Sequence, residues 1–424
     1  MNIAVIGAGP AGLIAGATAA KNGAKVEIID RNERAGRKLY LTGKGRCNIT
    51  NSADLDGFMK NTVHNGRFLF SAFSGFFSND ILTILEKEGV PVKLERGGRY
   101  FPESDKSSDV IRALVAYASH CGARLLLGTE VKSVEKNEAG FDLKLTGAHG
   151  GGRHYDRVII ATGGMSYSST GSTGDGYRFA ERFSHTVLPP KPSLIPFETV
   201  ESWPCELMGL SLKNVTLRAY KPEKEGGAKK KRKPVYEELG EMLFTHFGVS
   251  GPLVLSASSY LADDPAGARL TIDLKPALTE AQLDARLLRD FDKYRHKQVR
   301  NAMQEVLPQR LITTVLELSG TDPETTVDEL TREQRSAIVR TLKCMELTVR
   351  RPRPMDEAII TRGGVSVKEI DPKTMESRLV PGLYFAGEVI DADACTGGFN
   401  LQIAWSTGAA AGLAAAGGET VWPE

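Results

Sequence analysis

Two short apolar runs near the start of the chain, residues 2–6 and 25–29, flank an alanine-rich stretch at residues 10–21. Continuous apolar runs of this length are typical of strands that are buried on both faces of a parallel sheet. The alanine-rich stretch ends at Asn22 and Gly23, a pair that commonly caps a helix at its C-terminus. The pattern therefore predicts a strand–helix–strand unit with two parallel strands.

Strands and helices continue to alternate as far as residue 190. The apolar pattern predicts strands at residues 125–134, 141–145 and 156–161. The last strand runs into residues 162–164, Thr-Gly-Gly, where small residues let the backbone approach a ligand closely. Residues 189–192 contain three prolines and form a stiff break. We expect a domain boundary at this break.

After residue 191 the pattern changes to short strands separated by turns. Strands are predicted at residues 214–220, 241–245 and 270–274, which is typical of a small β-rich domain. Over residues 277–349 apolar side chains instead recur every three or four positions, as amphipathic helices require. We therefore predict a β-rich inserted domain over residues 191–276 and a mainly helical inserted segment after it.

From residue 350 the earlier α/β pattern resumes. Apolar runs at residues 358–361 and 383–386 predict further strands, and residues 400–416 predict a helix. Residues 1–190 and 350–424 then form one discontinuous α/β domain, interrupted by the insertion.

The bulk composition is that of an ordinary globular protein. Of the 424 residues, 41% are hydrophobic and 25% are charged, and the net charge of +2 gives no general attraction to nucleic acid or membrane. The first strand begins at residue 2, so we expect no signal peptide. The most apolar stretch, residues 404–418, is too short and too interrupted to span a bilayer.

The cysteines indicate the compartment and exclude one kind of chemistry. They form neither a CxxC pair nor the spacing of a metal site, and they are Cys47, Cys121, Cys205, Cys344 and Cys395. We therefore expect no metal and no CxxC redox pair. The absence of a disulfide framework favours a reducing compartment, and we predict a cytoplasmic protein.

A glycine-rich turn follows the first strand. Gly7 allows the tight strand-to-helix turn, Gly9 lets a pyrophosphate approach the backbone, and Gly12 brings the helix close to the sheet. The N-terminal end of that helix has free N–H groups and a positive dipole, which suit a pyrophosphate. Asp30 ends the second strand, where an acid commonly bonds the adenosine ribose. The context predicts a dinucleotide site.

Two later segments favour FAD over a nicotinamide cofactor. Residues 36–48 form a long loop rich in glycine and basic residues, which a flavin enzyme can use to reach the ribityl chain and the flavin ring. Glu388, at the end of a late strand, is placed to accept a hydrogen bond from a ribityl hydroxyl. A helix starting at Asn400 would point its N-terminal amides at the flavin and stabilise the negative charge of the reduced ring.

The assembled pattern resembles the BaiN/YhiN-type NAD(P)/FAD-dependent oxidoreductases, also described as aminoacetone-oxidase-like flavoproteins. The motifs that carry the resemblance cover essentially the whole chain, at residues 7–12, 36–38, 43–51, 161–164, 170–176, 244–252, 361–365 and 383–400. The resemblance implies a two-dinucleotide-like FAD-binding domain interrupted by a β-barrel-like domain and a small helical domain. One departure is Asp393 and Cys395 before Thr-Gly-Gly, where a pair of small residues is expected.

We predict that a single set of residues from both ends of the chain binds FAD. They are Gly7, Gly9, Pro10, Ala11, Gly12, Asp30, Arg31, Gly36, Arg37, Lys38, Gly43, Gly45, Arg46, Cys47, Asn48, Val131, Ala161, Thr162, Gly163, Gly164, Gly387, Glu388, Asp391, Gly397, Gly398, Phe399, Asn400 and Leu401.

The resemblance implies a chemistry more than a substrate. One branch of the family resembles reductases of conjugated 3-oxo bile acids, another is linked to dihydrouridine formation in ribosomal RNA, and a third description is amine oxidation. A steroid enone and the C5=C6 bond of uracil are both alkenes conjugated to a carbonyl, so hydride adds to the β-carbon and a proton to the α-carbon. The chain has one GxGxxG motif. We therefore expect NAD(P)H to be a transient electron donor, giving ping-pong kinetics.

Three residues are candidates for catalysis. Cys47 follows Arg46, whose charge would lower the thiol pKa and make Cys47 a proton donor or nucleophile. His246 precedes a glycine-rich turn. Arg46 and Arg362 would orient a carbonyl or anionic substrate, or bind FAD phosphate. Each cysteine and histidine here has an alternative role in packing a loop. Attachment of a covalent flavin through Cys47 or Cys395 is a further alternative that the sequence leaves open.

A basic run within the β-rich insert has two interpretations. Lys229, Lys230, Lys231, Arg232 and Lys233 form either a solvated hairpin tip or a contact with the phosphate backbone of RNA. The functions left open are reduction of a conjugated C=C bond, oxidation of a small amine such as aminoacetone, and modification or binding of ribosomal RNA.

Overall fold

The chain divides into two compact units in a computed structural model that describes residues 1–223 and 233–418. The first unit joins Met1–Ser193 to the chain from Met355 onward, and the second is Leu194–Pro354. The predicted α/β class, with a discontinuous nucleotide-binding domain and an inserted barrel, is confirmed.

A five-stranded parallel sheet forms the centre of the first unit. Its strands, in spatial order, are Leu383–Phe385, Arg157–Ile160, Asn2–Ile6, Lys25–Ile29 and Arg124–Leu126. The first strand of the chain is therefore central, with Ile3 opposite both Val26 and Arg157. All four apolar side chains of Asn2–Ile6, at positions 3 to 6, are buried, as expected for a strand covered on both faces.

Two helices cross in close contact in this unit. The first helix is Pro10–Lys21, and the C-terminal helix is Phe399–Ala415. A Cβ added to Gly408 would lie 2.4 Å from the carbonyl oxygen of Ala11, and one added to Gly412 would lie 2.2 Å from that of Ala15. The two glycines, one turn apart, therefore let the backbones approach more closely than side chains would allow.

The remaining elements of the first unit surround this sheet. Its other helices are Leu55–Asn61, Gly66–Gly75, Ser78–Lys87, Ser107–His120 and Asp175–Arg182. Two antiparallel three-stranded sheets are Thr129–Lys136 with Phe141–Gly147 and Gly151–Tyr155, and Thr50–Asn51 with Arg99–Pro102 and Val92–Glu95. Two strand pairs complete it, Val187–Ser193 with Ile360–Val365 and Thr62–His64 with Asp393–Ala394.

One predicted strand is wrong. Residues 125–134 form two strands, Arg124–Leu126 and Thr129–Lys136, in different sheets. The chain turns at Gly128, whose φ of +63° lies in the left-handed region that glycine adopts freely. The apolar pattern continues across this turn, so it did not show the break.

The second unit is a closed barrel with helices. Its strands, in spatial order, are Phe197–Thr199, Gly248–Ser250, Tyr236–Thr245, Ser211–Tyr220, Arg269–Asp273 and Met345–Pro352. Its helices are Trp203–Glu206, Pro252–Leu261, Glu280–Asp292, Val299–Ala302, Gln309–Leu318 and Arg332–Lys343.

The barrel and the helical segment share one core. Leu283 and Leu287 of the helical segment belong to the same buried cluster as Leu270 and Leu347 of the barrel strands. The last barrel strand follows the helices in sequence, so the insert closes only after the helical segment. The boundary predicted at residue 276 therefore falls inside one unit rather than between two.

Among the described residues, no single helix has the length and apolar composition that a membrane crossing requires, although the bent pair Gly66–Gly75 and Ser78–Lys87 meets both criteria when counted together.

Candidate functional site

The glycine-rich turn leaves open space in front of the first helix. A Cβ at Gly7 would lie 2.4 Å from the carbonyl oxygen of Ala161, and one at Gly12 would lie 1.8 Å from that of Gly7. A Cβ at Gly9 would meet no described atom within 4 Å. Gly9 is also the N-cap of the helix, and it has no side chain with which to satisfy the first N–H groups. The turn therefore offers both room and hydrogen-bond donors to an anion.

Asp30 stabilises this turn. Its Oδ2 accepts a hydrogen bond from the backbone N–H of Ala8 at 2.7 Å, and its Oδ1 accepts one from the N–H of Asn32 at 2.8 Å. Oδ1 also accepts a hydrogen bond from the Asn32 side-chain amide at 2.9 Å, so Oδ2 is the oxygen that can accept a second one. The carboxylate thus holds the turn in place, and Oδ2 keeps an acceptor site for the ribose hydroxyls that the sequence predicts.

The two arginines predicted beside Asp30 have protein partners. Arg31 pairs with Glu130 at 3.0 Å and with Asp175, and Arg37 donates to the Asn32 side chain at 2.9 Å. Both side chains therefore brace the loop after the second strand. Their role toward a phosphate remains a prediction, as does that of Val131, which is buried in a neighbouring strand.

Glu388 connects three distant parts of the first unit. Its carboxylate accepts hydrogen bonds from Lys38 Nζ at 2.6 and 2.8 Å and from the N–H of Thr361 at 2.7 Å. The Ser166 hydroxyl donates to it at 3.1 Å. Lys38 belongs to the basic loop predicted to carry the flavin, so this carboxylate joins residues from both ends of the chain at one point.

The turn after the Arg157–Ile160 strand contains an unsatisfied polar atom. The Thr162 hydroxyl is buried and has no hydrogen-bond partner among the described residues. Gly163 has a φ of +76°, and a Cβ at Gly164 would lie 2.4 Å from the Thr361 hydroxyl. Ala161 begins this turn, and its backbone packs on Gly7. A buried hydroxyl without a partner is uncommon, and a hydrogen bond to a bound ligand would satisfy it.

The basic loop is bonded to the start of the C-terminal helix. When the Asn48 side-chain amide is oriented so that both its oxygen and its nitrogen have hydrogen-bond partners, the oxygen accepts from the N–H of Gly398 at 3.0 Å. The Asn51 side chain donates to the carbonyl of Gly397 at 2.9 Å. A Cβ at Gly398 would lie 2.5 Å from the Thr50 backbone, so only glycine fits there. Gly36, Gly43 and Gly45 each have a positive φ in the same loop.

The C-terminal helix begins beside this loop. Its N-cap is Gly398, which has no side chain to cap the first N–H groups. Asn400 exchanges hydrogen bonds with the backbone of Ala394, at 2.9 Å to its N–H and 2.8 Å to its carbonyl. The Phe399 ring packs on Phe58 with centroids 4.9 Å apart. The helix start is thus fixed in place with free amides. Leu401 is the next residue in its first turn, and Gly387 donates its N–H to Thr407 of the same helix.

The predicted reactivity of Cys47 is wrong in direction. Cys47 is fully buried, and burial raises the pKa of its thiol to about 12. Arg46, expected to lower that pKa, instead pairs with Glu95 and Asp105 and lies 4.2 Å over the Phe101 ring. The neighbour in sequence therefore points its charge elsewhere, and Cys47 packs the loop. Cys395 is likewise buried.

Two other predicted features belong to the second unit. His246 is exposed in the second unit, at the turn between the Tyr236–Thr245 and Gly248–Ser250 strands, with its ring 4.9 Å from that of Phe247. Of the basic run, residues 229–232 lie outside the described residues, and Lys233 is exposed.

A polar cluster, of which the sequence predicted only Asp391, lies around the segment after Glu388. His64 Nε2 lies 3.3 Å from Asp391 Oδ2, and the Asn65 side chain donates to the same oxygen at 2.9 Å. Asp393 is almost fully buried and accepts a hydrogen bond from Ser193 at 3.1 Å. Asp391 was predicted to bind the cofactor. His64 was missed because it lies far away in sequence and no local motif marks it.

Taken together, the residues fit FAD. The open space at Gly9, the two glycine-capped helix starts and the orphaned Thr162 hydroxyl are features that a dinucleotide would fill. Across the described ranges, 1–223 and 233–418, no group of three or more His, Cys, Asp or Glu side chains is arranged to hold a metal ion.

Comparison with known proteins gives consistent matches over nearly the whole chain. A family model described as HI0933-like protein Rossmann domain matches residues 1–414. A ribosomal RNA dihydrouridine synthase of Escherichia coli (strain K12) is 33% identical over 404 residues, covering 95% of both chains. A 3-dehydro-bile acid delta(4,6)-reductase of Clostridium scindens (strain ATCC 35704 / DSM 5676 / VPI 13733 / 19) is 30% identical over 422 residues, covering 98% of both.

The fold is also similar to that of solved structures. A 3-ketosteroid-delta4-(5alpha)-dehydrogenase from Rhodococcus jostii RHA1 aligns with a TM-score of 0.52 at 15% identity, covering 98% of this chain and 96% of the other. A 3-ketosteroid delta1-dehydrogenase from Sterolibacterium denitrificans also aligns with a TM-score of 0.52, at 14% identity, covering 98% of this chain and 99% of the other. At these identities the likeness concerns the fold alone.

Proposed function

The chain belongs to the HI0933-like Rossmann domain family, and from that premise we propose that it is an FAD-dependent oxidoreductase that reduces a carbon–carbon double bond conjugated to a carbonyl. The observation that carries the proposal is the convergence of both chain ends on one site. Lys38 of the basic loop bonds Glu388 at 2.6 Å, 350 residues away in sequence. The five free cysteines fit a reducing, cytoplasmic compartment.

Each part of the cofactor has residues suited to hold it. The N–H groups at Gly9 and the start of the first helix would bind the pyrophosphate, and Asp30 would accept the ribose hydroxyls. Glu388 would accept a ribityl hydroxyl, and the start of the C-terminal helix at Gly398 would face the flavin ring. When bound, FAD supplies the hydride of the reaction.

The chain's own contribution is electrostatic and positional. The positive end of the C-terminal helix would stabilise negative charge on the reduced ring, and the rigid hydrogen bonds of Asn400 hold that end still. The substrate carbonyl must be polarised by hydrogen-bond donors, and a proton must reach the α-carbon after hydride adds to the β-carbon. The reaction therefore needs an acid from the protein.

The electron donor is NAD(P)H, which uses the substrate cleft in turn with the acceptor. The sequence contains one GxGxxG motif, at residues 7–12, so a second permanent nucleotide site has no motif to support it. Ping-pong kinetics are the expected result, and a kinetic pattern in which both substrates are bound together would contradict this part of the proposal.

The names of the relatives favour two substrate classes with the same chemistry. The bile acid reductase acts on a steroid, and the dihydrouridine synthase acts on ribosomal RNA. A 3-oxo steroid enone and the uracil ring both present an alkene conjugated to a carbonyl. A ribosomal RNA substrate is therefore the second candidate, and the 33% identity with the dihydrouridine synthase supports it.

The first experiment is anaerobic spectroscopy of the purified protein. The flavin absorbance should bleach on addition of NADH or NADPH and return when an acceptor is added. The two acceptors to compare are 4-androstene-3,17-dione and ribosomal RNA. If the flavin stays oxidised with NAD(P)H but is reduced by aminoacetone, the protein is an amine oxidase and the proposed reduction is wrong. A protein that binds no FAD would refute it.

The RNA candidate has its own test in the basic run. Replacing Lys229, Lys230, Lys231, Arg232 and Lys233 by glutamine should weaken binding to ribosomal RNA and flatten its salt dependence. Each lost phosphate contact should reduce the slope of log K against log salt by about 0.7–0.9. The control replaces Lys368 and Lys373, exposed in the first unit, and the two variants are compared by the change in affinity and slope per cation removed. Equal changes per cation in both variants would leave the run as a solvated loop.

A further inference from the structure

The proposed reduction requires an acid, and the polar cluster around Asp391 contains one. The Thr62–His64 strand pairs with Asp393–Ala394 in antiparallel register, with His64 directly opposite Asp393. This pairing brings a histidine to the two carboxylates of the segment between Glu388 and the start of the C-terminal helix. Both ends of that segment belong to the proposed FAD site, so the two carboxylates lie between residues that would bind the cofactor.

The cluster contains an unsatisfied buried carboxylate. Asp393 is 1% exposed, and its Oδ1 has no hydrogen-bond partner in the part of the chain that the structure describes. Its other oxygen accepts a single hydrogen bond, from Ser193. Burial of an ionised carboxylate with so few donors is costly, and protonation relieves it. Accordingly, burial raises the pKa of Asp393 to about 6.

Unlike Asp393, whose surroundings disfavour its charged form, His64 lies beside a carboxylate that favours its charged form. His64 Nε2 lies 3.3 Å from Asp391 Oδ2, and the His64 side chain is 35% exposed while that of Asp391 is 5% exposed. The hydrogen bond to Asp391 raises the pKa of His64 above its ordinary value, with a smaller opposing effect of burial. His64 therefore holds its proton to a higher pH than an ordinary histidine does, and its part-exposed ring connects the buried carboxylates to solvent.

Other charged groups surround the pair. Arg362, on the Ile360–Val365 strand, favours the charged form of Asp393 and disfavours that of His64. Lys191 lies opposite Arg362 in the neighbouring strand. Burial raises the pKa of the nearby Tyr177 hydroxyl, and the negative charges of Glu388 and Asp391 raise it further. The cluster thus combines two carboxylates, one histidine and one arginine.

We propose that His64 is the acid that protonates the α-carbon of the substrate, with Asp391 and Asp393 as positioning residues. This inference rests on the proposed function. FAD, when bound, would supply the hydride that forms the new C–H bond at the β-carbon, and NAD(P)H would be the reductant consumed. The electron pair of the C=C bond would then form the C–H bond at the α-carbon with the proton of His64 Nδ1, the ring nitrogen not paired with Asp391, and leave a neutral imidazole. His64 then regains a proton from solvent.

The first test is a titration that does not depend on activity. The pKa of His64 is measured by NMR in the cofactor-free protein, with His64→Gln used to assign the signal. We expect a pKa above the ordinary value of about 6.5, falling in Asp391→Asn. A His64 pKa at or below the ordinary value, or one that Asp391→Asn leaves unchanged, would overturn the proposal.

The second test follows single turnovers of the FAD-loaded enzyme. His64→Gln should leave FAD binding and reduction by NAD(P)H unchanged but slow reoxidation by the acceptor by about 100- to 10,000-fold. Wild-type reoxidation should decline as pH rises through the pKa of His64, and Asp391→Asn should move that decline to lower pH. The control is His120→Gln, since His120 is a surface residue paired with Glu88.

The outcomes separate two kinds of failure. If wild-type enzyme binds no FAD, or neither 4-androstene-3,17-dione nor ribosomal RNA reoxidises it, the proposed function fails and the acid has no reaction to serve. If wild type is reoxidised and His64→Gln matches His120→Gln in rate and pH profile, the proposed function stands and the assignment of His64 is wrong.

Discussion

Replacing Gly408 by alanine sets two physical effects against each other. The residue lies where the C-terminal helix crosses the first helix, and an added Cβ would lie 2.4 Å from the carbonyl oxygen of Ala11. That neighbour is backbone, so it cannot rotate aside. Alanine, however, is more favourable than glycine inside a helix by about 1 kcal/mol. The sign of the measured change in the free energy of unfolding therefore shows which effect is larger.

The expected size follows from the geometry. A carbon–oxygen contact normally spans about 3.3–3.6 Å, so the two helices must separate locally by about 1 Å. Overpacking of this kind costs about 1–3 kcal/mol, and contact between two backbones favours the upper end. After subtraction of the gain in helix propensity, Gly408→Ala should lower the free energy of unfolding by about 2 kcal/mol. The Tm should fall by about 4–8 °C.

The assay is thermal and urea unfolding of the cofactor-free protein. The control is Gly152→Ala, because a Cβ there would meet no described atom within 4 Å. That variant should be neutral or slightly more stable, by about 0.4–1 kcal/mol, through its effect on the unfolded chain. A Tm for Gly408→Ala equal to or above that of wild type would refute the close-packed crossing.

Three further predictions concern titration, thiol reactivity and the ion pair at the site. Burial raises the pKa of Asp393 from 3.8 to about 6, so the stability that this group contributes is present below pH 3.8 and is lost as pH rises through 6. Asp393→Asn should therefore gain about 3 kcal/mol relative to wild type between about pH 4 and pH 8, measured by urea unfolding; a constant difference would contradict it. Iodoacetamide should label the exposed Cys344 first and the buried Cys47 only after unfolding, as mass spectrometry can show; early labelling of Cys47 would contradict its burial. In a double-mutant cycle, the effects of Lys38→Met and Glu388→Gln on the free energy of unfolding should differ from additivity by about 1–2 kcal/mol. Additive effects would contradict the ion pair.

Much of the fold could be predicted because its signals are local. The Pro10–Lys21 helix and the Lys25–Ile29 strand have the bounds that the apolar pattern indicates. The glycines of the first turn were also predicted, because a tight turn and a close helix restrict the residue type at each position. Local pattern and local structure agree in this segment.

The parts that could not be predicted depend on contacts between distant residues. His64 meets Asp391 through a strand pair that joins segments more than 300 residues apart, and neither strand has an apolar pattern. The thiol of Cys47 follows a cation in sequence, yet Arg46 turns toward Glu95 instead. Adjacent positions in sequence do not fix where side chains point, so the pKa of Cys47 could not be inferred.

Because Leu383–Phe385 lies late in the chain, the parallel sheet of the first unit can be completed only near the end of synthesis. This strand pairs with Arg157–Ile160, whose other neighbour is Asn2–Ile6. At about 5–20 residues per second, the ribosome takes about 10–45 s to travel from one strand to its partner. During that time the edge of Arg157–Ile160 is unpaired and open to other strands. We expect the contiguous second unit to fold first, and the nascent first unit to need protection by a chaperone until its last strand emerges.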